Sequence, residues 1–113
     1  MAGDVEPDFA FSPNSARVAY RADQRTANVI ELYTSTPDGQ INDRVSGNLV
    51  SGGNVETFRW SPDNSGIGYI ADQNNNEVFE LFASFPSGGD IATLSGSIAG
   101  VGDVLFFEWV PFP

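Results

Sequence analysis

Short stretches in which apolar and polar residues alternate recur along the whole chain, and turns rich in Pro, Gly, Asn and Asp separate them. An alternation with a period of two is typical of a β-strand, whereas no window has the i, i+3, i+4 spacing of apolar residues that an amphipathic helix needs. The predicted strands are Val5–Phe11, Arg17–Ala22, Val29–Ser35, Asp43–Val50, Val55–Trp60, Gly66–Ala71, Val78–Ser84, Ile91–Leu94 and Val104–Trp109. We therefore predict an all-β protein in which no helix is longer than one turn.

The strands belong to a repeat with a period of 49 residues. The sequence of Phe58–Pro62 is FRWSP; 49 residues earlier Phe9–Pro13 is FAFSP, and 49 residues later Phe107–Pro111 is FEWVP. A repeat of this length is typical of one supersecondary unit that stacks on copies of itself. We predict a single domain that consists of a first unit at about residues 5–53, a second at about 54–102, and in 103–113 the first strand of a third.

The composition excludes several kinds of function. The chain has 113 residues with 15 acids and five bases, a net charge of −10, and all five bases are arginines; lysine, histidine and cysteine are absent. Because a phosphate backbone is bound by clustered cations, nucleic acid is not an expected partner. With 41% hydrophobic and 18% charged residues the composition is that of an ordinary globular domain, so we do not expect membrane insertion either. Without histidine and cysteine there is no Ser-His-Asp or Cys-His nucleophile and no imidazole or thiolate metal site. We predict no enzymatic activity, no cofactor and no metal, and the acidic N-terminus leads us to expect no signal peptide.

The spaced elements of the second unit resemble the TolB-like β-propeller repeat family. These elements are Phe58–Asn64, Ile67–Asp72 and Glu80–Phe82, and their counterparts in the first unit are Phe11–Asn14, Val18–Tyr20 with Asp23, and Glu31–Tyr33. The resemblance implies that each unit is a propeller blade, a four-stranded antiparallel meander. It also implies a binding or scaffolding role without catalysis, in the bacterial periplasm or outside the cell. The sequence departs from the family pattern at Asn14, where the family has Asp, at Asn64, where it has Gly, and in the third copy.

Aromatic residues on the first strand of each unit allow two interpretations. They are Phe9, Phe11, Phe58, Trp60, Phe107 and Trp109. They would either pack between adjacent blades or form an aromatic ligand cage, and their spacing favours packing.

Two acidic residues, Asp23 and Asp72, follow the second strand of each unit and also allow two interpretations. Either could bind a cation, but a carboxylate that accepts hydrogen bonds from its own loop explains the position equally well, and we favour it. The stretch 72–77 has side-chain oxygens like the start of a calcium loop. It has Glu77 where such a loop needs Gly, and Ala83 where it needs the bidentate Glu, so calcium is the less favoured alternative.

A polar ligand face is predicted at one end of the blades. Alternate connections of a meander lie on the same side, so the loops after the second strands and Gly52–Gly53 should lie together, opposite the Ser-Pro turns. If the protein binds a ligand, we expect it on this face, which has protruding polar loops. The candidate contact residues are Gln24, Arg25, Gln73, Asn74 and Asn76.

Three classes of function remain from the sequence: a self-assembling binding or scaffolding module, a carbohydrate-binding lectin of few-bladed subunits, and an enzyme with paired carboxylates. We favour the module, with the lectin as the alternative and a protein or glycan as the ligand. Two blades alone would leave large apolar faces in water, so we expect copies to associate head-to-tail, most readily as a trimer of six blades and next as a tetramer. Residues 1–59 carry a net charge of −3 and residues 60–113 carry −7, which favours head-to-tail contact. The strand Val104–Trp109 duplicates Val5–Phe11, so one of them is expected to latch the ring by filling the innermost position of a neighbouring blade.

Overall fold

The structure, a computed structural model, describes residues 8–88 and 92–93. Its strands are β1 (Ala10–Phe11), β2 (Val18–Ala22), β3 (Glu31–Ser35), β4 (Asn42–Arg44), β5 (Val55–Trp60), β6 (Ile67–Asn75), β7 (Val78–Ser84) and β8 (Ala92–Thr93). The described residues contain no helix, so the all-β prediction is confirmed. The predicted strand Val104–Trp109 lies outside the described residues, as does the start of Val5–Phe11.

The strands form two antiparallel four-stranded sheets, ordered β1-β2-β3-β4 and β5-β6-β7-β8. The 49-residue period is also the period of the strand pairing. Ala22 pairs with Glu31 in the first sheet and Ala71 with Glu80 in the second; likewise Tyr20 pairs with Tyr33, and Tyr69 with Phe82. Each sheet is therefore the four-stranded meander expected of a propeller blade.

Two predicted strand ends were wrong, and β2 and β3 begin slightly later than predicted, at Val18 and Glu31. β4 ends at Arg44 instead of Val50, because the amides of Val45 and Ser46 both donate to the Leu32 carbonyl (2.7 and 3.3 Å) and turn the chain out of the sheet. The apolar residues that follow do not form a strand: Leu49 packs against the core between the sheets.

The second wrong boundary is the end of β6, which continues through the predicted loop to Asn75. Asn75 pairs with Val78, and an irregularity after Ala71 displaces the intervening residues from regular pairing. Polar side chains at these positions find partners outside the ladder, so the strand tolerates them.

Turns with the sequence Ser/Thr-Pro-Asn/Asp precede β2, β4 and β6, all at the same end of the sheets. In each turn the first hydroxyl accepts an amide N–H five positions on: Arg17 to Ser12 (3.1 Å), Ile41 to Thr36 (3.1 Å) and Gly66 to Ser61 (3.0 Å). The fourth position has a positive φ, at Ser15 (62°), Gly39 (75°) and Asn64 (68°). The predicted Ser-Pro turns are thus local devices with internally satisfied hydrogen bonds.

The core lies between the sheets. One face of the second sheet, with Phe58, Tyr69 and Phe82, packs against Ala19 and Leu32 on the facing side of the first sheet. The Tyr69 and Phe82 rings stack with their centroids 5.3 Å apart. We call the opposite side of the first sheet its outer face.

Hydrogen bonds fix the two sheets against each other around this core. Trp60 Nε1 donates to the Ala10 carbonyl (2.9 Å), and Arg21 Nη1 donates to the Val55 carbonyl (2.9 Å). Because each bond joins a side chain of one sheet to the backbone of the other, the stacking has a defined orientation.

Candidate functional site on the outer face of the first sheet

The topology places the loop after β2 and the turn after β6 at the end opposite the Ser/Thr-Pro turns. A Cβ atom on Gly52 would lie 3.0 Å from the Asn76 side chain, so the connection between the sheets reaches the same end. Five candidate residues were predicted at this end of the two sheets, and four of them are exposed: Gln24, Arg25, Asn74 and Asn76. The Asn74 amide donates to Glu80 Oε1 at 3.2 Å.

Gln73 differs from the prediction of an exposed ligand contact, because it is 7% exposed. Its Oε1 accepts the hydroxyl of Tyr69 (2.9 Å) and the backbone N–H of Gly47 (3.2 Å). Tyr69 is buried and Gly47 is half-buried, so Gln73 joins two parts of the fold to each other. A polar residue in a predicted loop carries no signal in the sequence that tells these two roles apart.

Gln73 is one of three neighbouring residues of the second sheet that hydrogen-bond the backbone of the segment leading from β4 to β5. We call this segment, residues 45–54, the connecting segment. The backbone N–H of Val50 donates to the backbone carbonyl of Gln73 (3.0 Å), and the backbone N–H of Asn54 donates to Asp72 Oδ1 (2.6 Å). Tyr69, Asp72 and Gln73 together form what we call the receiving site of the second sheet.

Tyr20, Asp23 and Gln24 occupy the matching positions in the first sheet and repeat this geometry. The Tyr20 hydroxyl donates to Gln24 Oε1 at 3.0 Å, as Tyr69 does to Gln73. Gln24 is exposed, however, and its amide donates to Asn42 Oδ1 at 2.9 Å. The first sheet thus repeats the tyrosine–glutamine pair with Gln24 exposed, while Asp23 is buried and the Tyr20 hydroxyl accepts a hydrogen bond from the Asn42 side chain.

The two aspartates bind their own loops, as the favoured interpretation predicted. Asp23 Oδ2 accepts a hydrogen bond from the backbone N–H of Asn28 (3.1 Å), and Asp72 Oδ2 accepts one from the backbone N–H of Glu77 (3.0 Å). Asn28 and Glu77 have φ values of 65° and 67°, so each carboxylate holds a strained turn residue in place. Within the described ranges, no group of three or more acidic residues could hold a metal ion.

The strand-one aromatics differ between the two sheets. Phe58 is 9% exposed and Trp60 packs against the core, so both confirm the packing interpretation. Phe9 and Phe11, at the matching positions, are 62% and 51% exposed. Phe107 and Trp109 lie outside the described residues. The difference arises because the second sheet has the first sheet as a neighbour on this side.

Two arginines surround a buried carboxylate on the outer face. Glu31 is 4% exposed, and its Oε2 accepts Nη1 of Arg44 (3.0 Å) and of Arg25 (3.2 Å). The Tyr33 hydroxyl donates to Glu31 Oε1 at 2.8 Å, and burial together with this carboxylate raises the pKa of Tyr33. Two cations around one anion leave a positive charge in a chain whose net charge is −10.

An open groove of about 510 Å³ lies between β1 and β5 at the end with the Ser/Thr-Pro turns. Phe11, Phe58, Arg59 and Trp60 line it. It contains the aromatic residues for which a ligand cage was the alternative, but Phe58 and Trp60 also belong to the packing between the sheets. In the part of the chain that the structure describes, no helix is long and apolar enough to span a membrane.

Comparison with known proteins supports the fold. A solved structure described as a "putative TolB from Agrobacterium tumefaciens" aligns with a TM-score of 0.56 and 13% sequence identity, covering 74% of this chain and 31% of that one. At this identity the similarity concerns the fold, and this chain spans less than a third of that structure. No family model and no curated protein matches the chain. The two sheets are therefore propeller blades, and we call them blade 1 and blade 2.

Proposed function

We propose that this protein is a non-catalytic, TolB-like propeller module that functions in binding or scaffolding and associates head-to-tail with copies of itself. In this arrangement the outer face of blade 1 packs against blade 2 of the next copy. Three copies would close a ring of six blades, and four copies a ring of eight.

One observation carries the proposal: two residues of β6 are fully buried in blade 2, while the residues at the same positions of β2 in blade 1 are only half-buried. Ile67 and Tyr69 are fully buried, while their counterparts Val18 and Tyr20 are half-buried. The buried pair is covered by blade 1 of the same chain. A further blade on the outer face would cover the half-buried pair in the same way and remove apolar surface from water.

The charge distribution supports contact between unlike ends. Arg25 and Arg44 lie on the outer face of blade 1, and their counterparts in blade 2 are the uncharged residues Asn74 and Thr93. All seven charged residues after Arg59 are acidic. A cationic site facing an acidic blade favours head-to-tail over head-to-head association, by an amount that salt screening reduces.

The lectin alternative has less support. A lectin built from repeated blades would present exposed aromatics at matched positions, but Phe9 is exposed where Phe58 is buried. A non-catalytic role is supported by the lack of histidine and cysteine. The buried carboxylate of Glu31 is moreover engaged by arginines and Tyr33, so it is poorly suited to proton transfer.

Light scattering of the full chain at micromolar concentration tests the proposal. Because one chain has a mass of 12.1 kDa, we expect a trimer of about 36 kDa or a tetramer of about 48 kDa. The mass should decrease as salt is added. A monomer would contradict self-association, and binding on a glycan array would instead support the lectin.

A further inference from the structure

One peptide bond of the chain has a sequence that favours rearrangement of the backbone. Asp38–Gly39 is the only place in the sequence where Gly follows Asp or Asn. Because glycine has no side chain to obstruct a ring that closes on its own nitrogen, an aspartate before glycine cyclises more readily than one before a larger residue. Both residues are exposed in the turn between β3 and β4, and among the described residues nothing lies within 4 Å of a Cβ atom placed on Gly39.

The turn holds the Asp38 side chain with the same pair of hydrogen bonds that holds Asn14 and Asp63 in the two Ser-Pro turns. Asp38 Oδ1 accepts the Thr36 hydroxyl (2.7 Å) and the backbone N–H of Gln40 (3.0 Å). The corresponding distances are 2.7 and 3.0 Å at Asn14, and 2.8 and 3.1 Å at Asp63. Asn14 and Asp63 are both followed by residues larger than glycine, so the turn at Asp38 differs from the other two in what comes next.

The two groups that would have to react are engaged elsewhere in the folded turn. The nucleophile is the backbone nitrogen of Gly39, and its N–H donates to the Thr36 carbonyl (2.9 Å). The electrophile is Cγ of Asp38, which is attacked when the carboxyl is neutral, because its hydroxyl can then leave as water. The backbone N–H of Gln40 and then the Thr36 hydroxyl lower the pKa of Asp38, so they keep the carboxyl ionised and unreactive. Thr36 thus restrains both reacting groups, one through its carbonyl and the other through its hydroxyl.

We propose that Asp38–Gly39 is a site of isoaspartate formation, and that the Thr36 hydroxyl controls how fast this modification occurs in the folded protein. When the turn opens, the Gly39 nitrogen attacks Cγ of Asp38; a C–N bond forms, and the carboxyl hydroxyl leaves with the proton of the nitrogen as water. Water then adds to one carbonyl of the resulting succinimide ring and breaks its bond to nitrogen. Opening at the side-chain carbonyl restores aspartate, whereas opening at the main-chain carbonyl gives isoaspartate, with no net change of mass. This inference does not depend on the proposed association.

The product changes the turn and the strand that follows it. In isoaspartate the side-chain carbonyl of Asp38 becomes part of the backbone, so the carboxylate that accepts the bonds from Thr36 and Gln40 is no longer at its place. The backbone of the turn also becomes one atom longer. β4 begins three residues after the turn glycine and pairs with β3 through three residue pairs. We therefore expect the modification to loosen β4 and with it Arg44, which binds Glu31 on the outer face (3.0 Å).

Incubation of the folded full chain, followed by peptide mapping, tests the inference. The isoaspartyl peptide has the mass of the unmodified peptide and a different chromatographic retention. Thr36→Val removes the hydroxyl and keeps the branched shape, and we expect isoaspartate to form at Asp38 at least about threefold faster than in the wild type, because a hydrogen bond to the carboxylate is lost. Thr36→Ser is the matched control, since Ser12 and Ser61 make the same contact in their own turns; its rate should stay within about twofold of the wild type.

The same proteins incubated in urea separate the effect of the turn from that of the sequence. Circular dichroism shows which samples are folded. Unfolded chains have no turn, so the wild type and Thr36→Val should isomerise there at equal rates, and faster than the folded wild type. Control by the turn is wrong if folded Thr36→Val reacts no faster than the wild type, or if the wild type reacts as fast folded as unfolded; this second comparison decides even where the variant does not fold. Absence of isoaspartate at Asp38 in urea, or faster formation at Asp63, would overturn the site.

Discussion

Substitution of Gln73 by alanine should destabilise the fold strongly, whereas the same substitution at Gln24 should not. Gln73 is 7% exposed, and its Oε1 accepts one hydrogen bond from Tyr69 and one from Gly47. Without it, the hydroxyl proton of Tyr69, a residue with no exposed surface, loses its acceptor. The pairs Tyr20–Gln24 and Tyr69–Gln73 are matched in sequence and geometry, so they form an internal control.

The expected magnitude follows from these contacts. A buried polar group without a partner costs about 1–3 kcal/mol, and the truncated side chain adds a small cavity. We expect Gln73→Ala to lower the free energy of unfolding by about 2–3 kcal/mol, out of the roughly 5–15 kcal/mol of a typical domain. Gln24→Ala, at an exposed position, should change it by less than about 0.5 kcal/mol.

Urea unfolding followed by tryptophan fluorescence measures both values, at a protein concentration low enough to keep the chain dissociated. The m-value should be unchanged, since the surface exposed on unfolding is nearly the same. The double variant Tyr69→Phe with Gln73→Ala removes the stranded hydroxyl, so it should recover about 1 kcal/mol of the loss. Equal destabilisation at Gln24 and Gln73, or a double variant less stable than Gln73→Ala, would refute the reasoning.

Three further predictions concern single contacts. Gly53→Ala should destabilise the fold by about 1–3 kcal/mol in urea unfolding, because its Cβ would lie 2.4 Å from the Asp72 carbonyl oxygen; unchanged stability would contradict this close approach. Hydrogen bonds from the Ser65 side chain and then from Ser61 lower the pKa of Asp63 to about 2, so its contribution to stability is present above pH 3.8 and is lost as the pH falls through about 2. An NMR titration should show this pKa rising toward 3.8 in Ser61→Ala, and an unchanged value would be inconsistent with the turn. Burial raises the pKa of Tyr69 to about 12, so its stabilising effect is full below pH 10 and is lost as the pH rises through about 12. Ultraviolet absorbance of the phenolate, followed against pH while circular dichroism shows that the protein stays folded, checks this pKa.

The repeat and most of the fold could be predicted from the sequence because the contacts that build each sheet are local. A hairpin is determined by alternation and by its turn, and both recur every 49 residues. Strands Val55–Trp60 and Val78–Ser84 accordingly have the predicted bounds. The local bonds of Asp23 and Asp72 were predictable for the same reason, since an aspartate after a strand has its own loop amides within reach.

Only the tertiary structure decided which of two equivalent residues is buried. Gln24 and Gln73 both follow Ala-Asp and both bond a tyrosine four positions earlier, yet one is exposed and the other lies under the connecting segment. Phe9 and Phe58 differ in the same way. Burial is a property of what covers a residue, and here blade 1 covers Phe58 and the connecting segment covers Gln73. The sequence by itself determined two nearly identical sheets, and their stacking made one face a core and the other a surface.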